Sequence, residues 1–255
     1  MKGATLATES VVSAFRVLEA VAEAQPVGLS ELARTVGLPK STVQRVLLTL
    51  QEVGWLRPTE TTPTRWQLTY RAVAVVGRAG GGESLRDIAL PVMNDLQLAT
   101  TETIHLAAPD GDSLVLVERL DTSHRLRAFL PLGERIALHA SATGLAYLSA
   151  CDQDYLDDYL AAGPLPAQTP DTITDPDRIR TVVNDVRERG YSMNVGGLSL
   201  GISSLGAPIV GPSGVVAAMS VSGPTSRITE DRFDELGAQV RDAAARISRA
   251  LRGER

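Results

Sequence analysis

Over the first seventy positions, apolar residues recur with a helical period, and polar or glycine breaks divide them into short elements. From Ser10 to Ala24 the apolar positions Val11/Val12, Phe15, Leu18 and Val21/Ala22 fall on one helical face, with Ser10 placed to cap it. Pro26 and Gly28 end that helix. Ser30 can cap a second helix with Leu32, Ala33 and Val36 on its inner face, and Gly37 permits a tight turn. Pro39 suits the first turn of a third helix, in which Val43, Val46, Leu47, Leu50 and Val53 form one buried stripe before Gly54 stops it. Trp55–Pro58 and Arg65–Leu68, joined by a threonine-rich turn, then read as a hairpin. Two strands alone are marginal in water, so Trp55, Trp66 and Leu68 are expected to pack on the helices. Helix, glycine turn, helix and hairpin is the outline of a winged helix-turn-helix DNA reader.

Tyr70 to Arg78 is predicted helical, and Gly80-Gly81-Gly82 reads as a hinge. No Gly-Lys-Ser/Thr follows, so these glycines do not form a phosphate loop. Beyond Ser84 the periods alternate. A helix is predicted at Leu85–Thr100, with strands at Thr103–Ala108, Ser113–Leu120 and Arg125–Leu130. Three helices follow: one from Ser141 to Leu148, one over Asp152–Ala161, and one capped by Asp175-Pro176 and ended by Gly190. Strands at Ser203–Val210 and Val215–Ser222 flank the turn Gly211-Pro212-Ser213-Gly214, and a last helix runs from Thr229 to about Leu251. Strands mixed with returning helices give an α+β domain around one mixed β-sheet. The expected division is residues 1–69 for the DNA-binding domain, 70–84 for a linker helix and hinge, and 85–255 for the second domain.

Composition changes this picture in two ways. At 255 residues with 44% hydrophobic content, the chain is of ordinary globular type. No apolar run is long enough to span a membrane, and the start lacks the apolar core of a signal peptide, so a cytoplasmic protein without a membrane partner is expected. The net charge of -5 is divided unevenly: residues 1–80 hold nine Lys/Arg against six Asp/Glu, and the remainder holds sixteen against twenty-four. No acidic residue lies between Glu31 and Glu52. A polyanion is met by the first part and repelled by the second.

On the third helix, Ser41, Gln44, Arg45 and Leu48 fall away from the buried stripe, with Lys40 and Thr42 near its start. Thr42, Gln44 and Arg45 are the candidates for base contacts, since Gln pairs bidentately with adenine and Arg with guanine. Lys40, Ser41, Arg57 and Arg65 are the candidates for phosphate. The alternative is a solvated helix face. Other motifs point nowhere firm. Gly197-Leu198-Ser199-Leu200-Gly201 matches a nucleophile elbow, but an apolar strand follows the serine and all three histidines precede it. Those histidines are too scattered for a metal site and Cys151 has no pair, so no metal or cofactor is expected. The acidic run from Asp152 to Asp158 lacks the glycine and glutamate of a calcium loop and reads as a solvated helix start.

Four blocks carry a resemblance: LSELARTVGLPKSTVQRVLLTLQEVGWL, LPLGERIALHAS, TDPDRIRTVVNDVRERGYSM and VVAAMSVSGPTSRITEDR. In this order, over roughly Ser10 to Leu251, they resemble IclR-type transcriptional regulators. The resemblance implies an N-terminal winged helix-turn-helix, a C-terminal effector-binding domain of GAF-like fold, and homodimers or homotetramers on palindromic double-stranded operators. It also implies control by a small-molecule effector, a small organic acid or aromatic metabolite. Carried over by matching blocks, the effector site comprises Ala128, Leu130, Ile136, Ala142, Thr143, Asn194, Ile202, Ser204, Ser220 and Ser222. The turn His139–Gly144 offers helix N-terminal amides to a carboxylate, with His139 beside the pocket or purely structural. The chain departs from the family at Asn194, where members often carry an acidic cluster, and at Gly144-Leu145, where they often carry Gly-Lys. A neutral pocket of that kind suits a larger or more apolar acid, a lactone or an aromatic compound. The alternative function is a metabolite-binding or hydrolytic domain, using the 197–201 motif, with an incidental helix-turn-helix.

Overall fold

A computed structural model describes residues 7–76 and 84–254. The chain divides into two compact units, Met1–Gly82 and Glu83–Arg255. The glycine hinge and the end of the helix expected at Arg78 lie outside the described residues.

In the first unit, α1 (Glu9–Ala24), α2 (Leu29–Val36) and α3 (Lys40–Glu52) pack around Val17, Val21, Leu32, Val43 and Leu47, all almost fully buried. Gly37 closes α2 in the left-handed region at φ 66, a conformation that side chains bearing a Cβ resist. β2 (Leu56–Pro58) and β3 (Arg65–Leu68) form the expected hairpin, and β1 (Val27–Gly28) adds a third antiparallel strand to it through β3. Trp66 is buried in the helical core, with Trp55 and Leu68 packed against it, so the hairpin gains the support that two strands lack. α4 (Tyr70–Val76) follows.

Three expectations change here. α1 starts at Glu9 after Thr8 and α2 at Leu29 after Gly28, so Ser10 and Ser30 lie inside their helices rather than at the caps. The buried side of α1 is Val17, Ala20 and Val21, whereas Val11, Val12 and Phe15 are exposed. At about 100° per residue these two apolar sets lie on nearly opposite sides of the helix. Val53 is also exposed, because it is the C-cap and has left the helical stripe.

The second unit is a six-stranded sheet in the order β6-β5-β4-β9-β8-β7. Its strands are β4 (Thr103–Asp110), β5 (Ser113–Leu120), β6 (Arg135–Ala137), β7 (Ser192–Val195), β8 (Ile202–Gly211) and β9 (Gly214–Pro224). The α+β architecture is the expected one; the sheet, expected to be mixed, pairs antiparallel at every described register. Alternation along each strand sends side chains to two cores. Ile104, Leu106, Leu205, Met219 and Val221 meet α5 (Leu85–Thr100) and α9 (Phe233–Leu251) on one face. Ala107, Leu114 and Ala218 meet α6 (Ala142–Ala150), α7 (Gln153–Ala161) and α8 (Pro176–Arg189) on the other.

Local chemistry sets several ends. Ser84 and Asp87 form a reciprocal capping box on α5. The Asp175 carboxylate accepts from the amides of Asp177 and Arg178, and Gly190 at φ 81 ends α8. Arg125–Leu130, expected as a strand, is irregular, and the neighbour of β5 is β6 instead. Three of the segment's carbonyls accept from side chains rather than from a ladder. Arg227 Nη1 donates to the Leu126 carbonyl at 3.0 Å, Thr103 Oγ1 to that of Ala128 at 3.3 Å, and Arg119 Nη1 to that of Leu130.

Candidate functional site

The open face of α3 carries the helix-turn-helix chemistry. Lys40 is its first residue; Ser41, Gln44 and Arg45 are exposed and Thr42 is half-buried, while Val43 and Leu47 fix the opposite face in the core. Gln44 and Arg45 therefore project from a helix whose rotation is locked by packing. Leu48, also exposed, continues the same face. On the hairpin, Arg57 is exposed at a register opposite Gln67. Arg65 is exposed as well, but its Nη1 donates to the Pro26 carbonyl at 2.9 Å, so part of its guanidinium ties β3 to the end of α1.

The second unit encloses a cavity of ≈ 250 Å³ between the sheet and the loops at its α6 side. All ten residues carried over from the resemblance line it. Strand alternation and register explain the floor: Asn194 pairs with Ser204 and Ser204 with Ser222, which puts three polar side chains in a row across β7, β8 and β9. Ser220 lies opposite His105 on β4. Ala128, Leu130 and Ile136 form an apolar wall, and Ile202 closes the start of β8.

At one end stands the N-terminus of α6. Ser141 caps it, accepting from the Gly144 amide at 2.9 Å. Ala142 and Thr143 are its first two residues, whose amides have no acceptor within the helix and carry the positive end of the dipole. Gly144 and Gly206 bring α6 close to its neighbours: a Cβ at Gly144 would stand 2.2 Å from the Leu138 carbonyl oxygen, and one at Gly206 2.7 Å from that of Ala142. Asn194 ties in the same turn, its Nδ2 donating to the Ala140 carbonyl at 3.0 Å. A carboxylate could not make that bond, which gives a structural reason for the neutral amide at this position.

The carry-over did not include His105, Arg127, Phe129, Ser141, Leu198 and Ser199, which also line the cavity. His105 was missed because its burial follows from pairing with β9, more than a hundred residues away. Its Nδ1 lies 3.2 Å from Ser222 Oγ, and Nε2 has no partner among the described residues. Burial pushes its pKa down to about 4, with the Arg119 charge acting in the same direction and Asp121 opposing it. The imidazole is therefore neutral at neutral pH. His139 instead faces Tyr159 and the Pro166 carbonyl, at 2.7 and 3.1 Å, and lies outside this cavity. Ser199 sits in a turn between β7 and β8, without the strand–serine–helix geometry of an elbow. Among the described residues no group of three or more His, Cys, Asp or Glu could hold a metal ion, and no helix is long and apolar enough to cross a membrane.

Two family models match the chain. Residues 10–60 match the IclR helix-turn-helix domain, and residues 81–249 match the bacterial transcriptional regulator IclR C-terminal domain. The chain is 33% identical over 240 residues to the HTH-type transcriptional regulator KdgR of Escherichia coli, covering 94% of this chain and 91% of that protein. It is 32% identical over 256 residues to the E. coli transcriptional repressor IclR, covering 99% and 93%. Among solved structures, Thermotoga maritima IclR superposes with a TM-score of 0.77 at 27% identity, covering 95% of this chain and 98% of that one. An IclR homolog from Microbacterium hydrocarbonoxydans, complexed with 4-hydroxybenzoate, gives 0.75 at 26% identity, covering 96% and 100%.

Proposed function

We propose, for a chain that belongs to the IclR family of DNA-binding transcriptional regulators, that the cavity beside α6 is the sensor and that its ligand controls operator binding. The ligand class is a small organic acid, lactone or aromatic metabolite. The observation that carries this reading is the meeting, in one cavity, of the α6 N-terminal amides with a polar floor and an apolar wall. Helix N-termini hold anions, and apolar surface holds a carbon body. At ≈ 250 Å³ the space falls just below the ~300–1,000 Å³ of drug-sized sites, so a metabolite of modest size is the appropriate guest. The solved relative with 4-hydroxybenzoate is an example of such a compound in this family.

In this reading Thr42, Gln44 and Arg45 read bases, and Lys40, Ser41, Arg57 and Arg65 hold phosphates. The protein acts in the cytoplasm as a homodimer or homotetramer on a palindromic operator, and does not catalyse a reaction. Val11, Val12 and Phe15 of α1, exposed opposite its buried face, are the apolar surface offered to a second copy, with Tyr70 and Val73 of α4 as further exposed apolar groups in the same unit. Ligand acts by binding the DNA-competent and incompetent arrangements with different affinity.

The test is fluorescence anisotropy with the protein's own upstream DNA, with and without a panel of small acids and lactones. Specific binding that one compound shifts supports the reading; specific binding that ignores every compound in the panel counts against the sensor, and no specific binding counts against the operator assignment.

A further inference from the structure

We propose that His105 is a specificity-determining residue of this cavity, selecting acids that carry a second oxygen, a hydroxyl or a carbonyl, on their carbon body. The inference rests on the sensor reading above and names what the ligand must bring. His105 is 3% exposed and lines the cavity, and its Nε2 is one of few buried side-chain polar atoms without a partner among the described residues. Native structures rarely leave such an atom unpaired without a role for it, because its desolvation is then uncompensated.

One partner holds the ring. Ser222 Oγ holds Nδ1 at 3.2 Å, which fixes the ring orientation. Burial keeps the imidazole neutral at neutral pH, so it offers a hydrogen bond and no charge. Behind it, Ser220 Oγ lies 3.2 Å from Ser222 Oγ, making a chain of two hydroxyls and one imidazole. Two proton orders are available to that chain. If Ser220 donates to Ser222 and Ser222 to Nδ1, Nε2 carries the hydrogen and donates. If Nδ1 donates to Ser222 and Ser222 to Ser220, Nε2 is bare and accepts. Nε2 is itself buried, so a ligand oxygen reaches it when the cavity wall shifts to admit one; the same nitrogen can then serve a carbonyl or a hydroxyl without a change of net charge.

The division of labour with α6 sets the ligand class. An anionic head is served by the dipole and amides at Ala142 and Thr143 and by the Arg127 guanidinium, which also lines the cavity. A neutral oxygen is best served by a neutral imidazole. Among the described residues no Asp or Glu lines the cavity, so an ammonium group on the ligand would find no counter-charge from them.

The experiment is calorimetric titration of the full chain with acids that differ by one oxygen: benzoate against 4-hydroxybenzoate, and propanoate against lactate and pyruvate. For at least one pair, wild type is expected to prefer the oxygenated acid by about tenfold, the cost of one buried hydrogen bond. In His105→Phe that preference is expected to fall to about threefold or less, with the parent acid still bound; His105→Gln, which retains a donor and an acceptor, should restore part of it. The imidazole ¹⁵N signal of Nε2 in wild type should also move on saturation with the preferred acid, a readout that does not depend on the variants folding. A preference that survives in folded His105→Phe, or an Nε2 signal that stays still at saturation, overturns the assignment while leaving the sensor in place. No binding of any of these acids to wild type removes the small-acid sensor reading and this inference with it.

Discussion

The open face of α3 and the cavity beside α6 are both polar surfaces, yet they are built in opposite ways. On α3 the side chains themselves carry the chemistry: Gln44 and Arg45 are exposed, and the helix beneath them is fixed by Val43 and Leu47. In the cavity much of the chemistry lies in backbone amides and in hydroxyls already bonded to one another, and His105 and Asn194 depend on neighbours far away in sequence. The lesson is about independence. Substitutions on α3 should change binding without changing stability, whereas substitutions around α6 should change both.

The sharpest break of this contrast is at Gly144. Its missing Cβ lets α6 approach the Leu138 backbone, which has no flexible end to move aside. Gly144→Val is expected to lower stability by about 3 kcal/mol or more, read as a fall in the unfolding midpoint. An unchanged midpoint would show that α6 is not tightly seated.

A second effect is one of pH. The folded state holds the His105 pKa near 4 against an ordinary 6.5, so between those values the unfolded chain binds more protons. Stability supplied by the neutral imidazole is full above about pH 6.5 and is lost as pH falls towards 4, by up to about 3 kcal/mol. His139, also lowered by burial, adds in the same direction, so the measurement is the difference between wild type and His105→Phe across that range. Identical pH profiles for the two proteins would contradict the assigned burial.

Asn194→Asp is expected to be smaller, about 1–3 kcal/mol, because it replaces a donor to the Ala140 carbonyl by an acceptor. Chemical denaturation measures it, and Asn194→Ala, which removes the bond without the repulsion, should cost less. On the other side of the comparison, Arg45→Ala should leave unfolding unchanged. It should weaken operator binding by about 1–3 kcal/mol and relax sequence preference. Lys40→Ala should weaken binding to all sequences about equally and reduce the salt slope by about one. A loss of stability in either variant would erase the distinction between the two surfaces.

The same contrast explains what could be read from sequence. α3, its glycine turn, the start of α6 to within a residue and the ends of α8 were legible because their signals are local: a period, a capping side chain, a glycine that ends a helix. α1 was legible as a helix but not as to which face is buried, since both Val17/Ala20/Val21 and Val11/Val12/Phe15 are apolar. Arg125–Leu130 has the composition of a strand, and β6 and β7 are only three and four residues long. What decides among them is the supply of partners. Arg119, Thr103 and Arg227 claim the carbonyls of the first, while β5 and β8 take the other two. The placement of His105 opposite Ser220 likewise requires the β4–β9 register, which no local pattern encodes.

The segment from Leu126 to Leu130 has a consequence for redesign. Three of its carbonyls are held by brackets that stand outside it, and Phe129 and Arg127 add contacts to Arg119 and Asp121, so its course rests little on the side chains of Ala128 and Leu130. Ala128 and Leu130, facing the cavity, can therefore be exchanged for larger or smaller groups while the wall keeps its path. That makes this stretch the place to retune the protein as a biosensor for a different metabolite, with Thr103, Arg119 and Arg227 left untouched as the fixtures that make such retuning tolerable.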